Sequence, residues 1–143
     1  MSLDDVKRQF VEQVKLRAYD DKYIDKNEER EILQIAIQLG VSIESARMAL
    51  VQVCEEHGYV VESQVLKMIK DQVESAFGND GKIDQKEFDL IFVNIRRAAQ
   101  SKKNDREIKK MIVNVMEETG LNKVKTGWFS NWYSRVKKEV GLA

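Results

Sequence analysis

Apolar residues recur every three or four positions through almost the whole chain, the spacing that puts them on one face of an α-helix. Leu3, Val6, Phe10 and Val14 mark a first helix, capped by Ser2 and running to about Tyr19. Asp25 precedes a second, with Ile32, Ile35, Ala36 and Leu39 turned inward and Gly40 as its stop. A third lies between Ser42 and Gly58 and carries Ile43, Ala46, Leu50, Val53 and Cys54. Val61, Val65, Ile69, Val73 and Phe77 mark a fourth, and Phe88, Ile91, Phe92 and Ile95 a fifth that follows Asp84. Ile108, Met111, Ile112 and Val115 mark a sixth, before Gly120. Asn79-Asp80-Gly81 reads as a turn, yet the segments on both sides keep helical and not strand periodicity. The pattern predicts an all-α bundle of six to seven helices and no sheet.

The pattern also repeats. A shift of 59 residues aligns Gln13-Val14 with Gln72-Val73, Ile24-Asp25 with Ile83-Asp84, and Glu28 with Glu87. Three inserted residues later, Val51-x-Val53-x-Glu55-Glu56-x-Gly58 aligns with Val113-x-Val115-x-Glu117-Glu118-x-Gly120. This reads as two similar three-helix repeats, about 3–58 and 61–120, packed face to face in one domain over 1–120. The segment 121–143 lies outside the repeat.

Composition refines the picture in three ways. No proline and only seven glycines in 143 residues argue against a turn-rich sandwich or barrel. The single Cys54 excludes an internal disulfide framework, and no apolar stretch approaches a membrane span, so a cytoplasmic protein is expected. Twenty-four cations balance twenty-four acids, which removes the simplest case for a nucleic-acid partner. That balance is uneven along the chain: Lys123, Lys125, Arg135, Lys137 and Lys138 against Glu139 leave the last 23 residues at +4 and the body at −4.

Both repeats turn through one motif, Asp21-Lys22-Tyr23-Ile24-Asp25-x-x-Glu28 and Asp80-Gly81-Lys82-Ile83-Asp84-x-x-Glu87. Asp25 and Asp84 can be N-caps, with Glu28 and Glu87 completing capping boxes and Ile24 and Ile83 supplying the hydrophobic staple. The same residues can instead be read as the second half of an EF-hand loop holding Ca²⁺ or Mg²⁺, which would make the chain a degenerate EF-hand-like calcium sensor. The first half of such a loop is missing, since Ala76 and Gly78, or Arg17 and Tyr19, occupy the positions of two expected carboxylates.

A helix, this acidic turn, and a helix ending in Leu39-Gly40-Val41-Ser42 are together similar to the TerB-like fold of bacterial tellurite-resistance proteins. Related modules occur in membrane-anchored DnaJ-like co-chaperones. The likeness covers about residues 5–120 in two copies. It implies a duplicated helical bundle, no enzymatic chemistry, a metal-binding acidic surface and a stress-response role near the membrane. The acidic positions it carries over are Asp21, Asp25, Glu28, Asp80, Asp84 and Glu87, with Lys22 departing from the family's glycine.

Cys54 and His57 stand three apart, but their repeat counterparts Met116 and Thr119 are no zinc ligands, and no further Cys or His completes a shell. One histidine and no glycine-rich phosphate loop leave little for an enzyme. In the tail, Phe129, Trp132, Val136 and Val140 share a stripe. It can pack as a seventh helix, or serve with Trp128, Arg135, Lys137 and Lys138 as a surface for a protein partner or an anionic membrane.

Overall fold

The computed structural model describes residues 3–17, 22–80, 83–100, 102–119 and 132–142. Among them it places seven helices in the order the periodicity predicts: α1 (Leu3–Arg17), α2 (Lys26–Gln38), α3 (Ile43–His57), α4 (Glu62–Asp80), α5 (Gln85–Ala98), α6 (Asp105–Thr119) and α7 (Trp132–Glu139). The fold is all-α except for one short feature the helical spacing did not predict. Strands β1 (Tyr23–Ile24) and β2 (Val60–Val61) pair in parallel, Tyr23 opposite Val60 and Ile24 opposite Val61. Two residues per strand are too few to show a period of two, which is why the sequence conceals them.

The chain divides into two compact units, residues 1–64 and 65–143. In the first, α1, α2 and α3 bury Val6, Phe10, Val14, Ile32, Ala36, Leu50, Val53 and Cys54 around Ile24 and Val61. The β1–β2 pair ties the turn before α2 to the segment after α3, and Val60 N–H also donates to the Lys22 carbonyl at 3.0 Å. Lys22 has φ 53°, the left-handed conformation that a glycine adopts without strain, and Gly81 stands at the matching place in the second motif. Gly58 ends α3 in the same region, at φ 74°, where Tyr59 N–H reaches back to the Cys54 carbonyl at 2.8 Å.

In the second unit the buried residues include Val65, Ile69 and Val73 of α4, Phe88, Ile91 and Ile95 of α5, and Ile108, Ile112 and Met116 of α6. Val65, Ile69 and Val73 each stand 59 residues after Val6, Phe10 and Val14, and all six are buried. The shortest helix, α7, buries Trp132 and Tyr133 in this unit, and Val140 just past its end is buried as well. Among the described residues, no helix is long and apolar enough to cross a membrane.

Candidate functional site

The two acidic turns are built alike. Asp25 Oδ1 accepts the Glu28 N–H at 2.8 Å, and Glu28 Oε1 accepts the Asp25 N–H at 3.1 Å. Asp84 Oδ1 accepts the Glu87 N–H at 2.8 Å, and Glu87 Oε1 accepts the Asp84 N–H at 3.0 Å. Each pair is a complete capping box that satisfies two otherwise orphaned amides at a helix start. Asn104 and Glu107 form the same reciprocal pair before α6, at 2.8 and 3.3 Å, although no acidic turn precedes them. The shared spacing is therefore accounted for by helix capping. An amide serves as well as a carboxylate in that role, whereas a cation site depends on charge.

Asp21 lies outside the described residues, and Asp80 ends α4 with its side chain outside them. The described ligand candidates thus amount to two carboxylates in each turn. Among the described residues, no group of three or more His, Cys, Asp or Glu is placed to hold a metal ion. Cys54 and His57 do not resemble a ligand pair either. Burial pushes the Cys54 thiol up to about 12, helped by the charges of Glu29 and then Glu55, which disfavours the thiolate that a metal binds. His57 Nδ1 lies 2.9 Å from the Val53 carbonyl, one helical turn back.

Of the tail residues, Trp128 and Phe129 lie outside the described segments. Trp132, expected as a surface anchor in one reading, is buried, its ring 5.2 Å from that of Phe88. Lys137 pairs with Glu117 at 2.7 Å and also lies over the Tyr133 ring. Tyr133 Oη donates to Glu117 at 3.0 Å, and burial followed by the Glu117 carboxylate raises its phenol well above the ordinary value. At the other end of α7, Glu139 meets Lys109 at 3.1 Å, and its carbonyl accepts from Arg106 Nε at 3.1 Å. Arg135 and Lys138 remain exposed.

Sequence reasoning passed over a different site. On the first unit, α2, the start of α3 and Ser63 of α4 enclose a groove of about 400 Å³. Leu33, Ile37 and Ile43 give it an apolar lining, and Ile37 and Ile43 are 49% and 43% exposed. Lys26, Arg30 and Arg47 also line it, as does Glu29, only 8% exposed and the one buried charged residue among those described. No hydrogen bond or ion pair joins the Glu29 carboxylate to another described residue; its stem is buried while the carboxylate opens on the groove. A first-turn glutamate reads in sequence as a solvated partner of the helix dipole. The signal that could have exposed it is the repeat register, which sets Glu29 against Phe88.

Comparison of the chain with protein-family models, with curated proteins and with solved structures finds no match.

Proposed function

We propose that this chain is a non-enzymatic, TerB-like helical module, duplicated from a three-helix unit, that acts as an adaptor in a cytoplasmic stress response. The observation that carries the reading is the α2–α3 groove. It offers exposed isoleucines, a glutamate with no partner among the described residues and a cationic border on one surface, a combination suited to docking a partner. The capping boxes support it from the other side, because four of the six carboxylates singled out by the TerB likeness, Asp25, Glu28, Asp84 and Glu87, are engaged in holding helix starts. A divalent cation, Ca²⁺ or Mg²⁺, would be an addition to those caps, completed by Asp21 or Asp80.

The adaptor reading is tested by placing a photo-reactive amino acid at Ile37 and, as a control, at the exposed Leu16 on α1. One protein cross-linked in cells from position 37 but not 16, and bound by the purified chain at micromolar affinity, supports it. Equal or no cross-linking from both positions overturns it. Titration calorimetry with Ca²⁺ and Mg²⁺ tests the cation: no heat at millimolar metal removes it, and with it the reading as a degenerate calcium sensor. A second reading, peripheral binding to anionic membranes through the tail, draws support from the exposed Arg135 and Lys138. Flotation with anionic vesicles, comparing the full chain with Arg135→Glu/Lys138→Glu, decides it.

A further inference from the structure

The groove's chemistry becomes specific when its residues are set beside those at the same register in the second unit. Glu29 corresponds to Phe88, Ile37 to Arg96, Ile43 to Asp105 and Arg47 to Lys109. In the second unit these positions are satisfied: Phe88 lies against Trp132, Lys109 against Glu139, and Arg96 pairs with Asp105 at 3.5 Å. Two of the three partners come from one helix, α7, while the Arg96–Asp105 pair stays exposed. In the first unit the polarity is reversed. A glutamate stands where the second unit has a phenylalanine, and two exposed isoleucines stand where it has an ion pair.

We infer that the α2–α3 groove is the docking site for an amphipathic helix of a partner protein, one carrying a lysine or arginine that pairs with Glu29. The inference rests on the adaptor reading and names the kind of partner it requires. A helix is the fitting occupant because a helix of eight residues, about two turns, already meets two of the corresponding positions in the second unit, Phe88 through Trp132 and Lys109 through Glu139. Its apolar stripe covers Ile37 and Ile43 and extends to Leu33. Its cation meets Glu29, the carboxylate that lines the groove and has no partner among the described residues. An acidic residue farther along meets Arg47, as Glu139 meets Lys109. Lys26, Arg30 and Arg47 outnumber Glu29 around the groove and repel a ligand that is only cationic, so the helix that fits carries an acidic residue beside the cation for Glu29.

The test is a display library of amphipathic helices of about four turns, panned against the full chain and followed by fluorescence anisotropy of the selected peptides. Binding is compared for wild type, Glu29→Gln, and Ile37→Arg with Ile43→Asp, which copies the ion pair of the second unit on exposed positions and so leaves the core intact. The expected result is enrichment of peptides with Lys or Arg beside the apolar stripe, bound at least about tenfold more weakly by both variants. Their binding should slow amide exchange in α2 and α3. Tight peptides without the cation overturn the proposal, as does equal affinity for all three proteins or no enrichment over the double variant. Self-association of the chain, or anionic-vesicle binding, that the same substitutions abolish overturns it in favour of a second copy or a lipid surface. Peptides that protect other segments overturn the groove and leave the adaptor reading standing; that reading falls only on the cross-linking result.

Discussion

The α2–α3 face of the first unit and the α5–α6 face of the second share a cap geometry and a pattern of buried positions, yet differ in what finishes them. Asp25 and Asp84 hold the same extended backbone, with φ −79° and −91° and ψ 174° and 175°. Ile32 and Ile91, and Leu50 and Ile112, are buried at matching places. The second face is partly covered by α7 and carries Phe88 where Trp132 meets it. The first carries Glu29 and exposed isoleucines in the corresponding places. A scaffold position thus takes its polarity from what covers it, and an unsatisfied position in a closed scaffold points to a surface with work to do.

The strongest way to break this comparison is to move the first unit's residue into the second. Phe88→Glu removes an aromatic from Trp132 and buries a carboxylate in its place, and should cost at least about 4 kcal/mol in denaturant unfolding followed by tryptophan fluorescence. Tolerance of that change would mean the two positions are not equivalent in burial.

Alkali should act on the units in a set order. Cys54 and Tyr133 both keep their protons in the folded state more firmly than in the unfolded chain, so the stability they confer is complete below the ordinary pKa and lost as pH rises. The first unit should weaken from about pH 9 toward 12, by at most about 1.4 kcal/mol per pH unit. The second should lose its tyrosine contribution only above pH 10. Chemical denaturation at stepped pH, read by thiol labelling and by tryptophan emission, checks the order. Cys54→Ala should flatten the first profile alone.

Glu29→Leu sharpens the same contrast at smaller scale. Replacing a largely buried glutamate that has no partner among the described residues with an apolar residue should stabilise the first unit by about 1 to 2 kcal/mol, seen as a higher melting temperature, while abolishing recognition of a cationic helix. A lower melting temperature would show that the carboxylate has a structural partner.

Smallest and most nearly equal should be the caps. Asp25→Ala and Asp84→Ala should each cost about 1 kcal/mol in thermal melts. A difference much larger than about 0.5 kcal/mol would mean that one turn does something besides capping.

Much of this architecture was legible in sequence because helices announce themselves through period and caps. Ser42 and Gly58 bracket α3, and the Asp-x-x-Glu spacing marks the starts of α2 and α5. The parallel β1–β2 pair was not, since two residues carry no period and their partners are 37 positions apart. The candidate metal residues were legible as a motif, and what the motif does locally is to cap. The groove was hidden for a different reason. Glu29 has the composition of a surface residue, and its burial follows from neighbours on α2, α3 and α4 that no local window includes. Only the comparison with Phe88 carries that information along the chain.

The distribution of two residue types has a consequence of its own. The chain's only cysteine is sealed in the first unit, and both of its tryptophans belong to the second. Each unit therefore contains a natural reporter that the other lacks. Cys54 becomes reactive only when its surroundings open, while indole emission follows the surroundings of α7 and the tail. Measured together across a denaturant series, the two signals tell whether the halves come apart in a single cooperative event or in succession, and no label or substitution has to be introduced to see it.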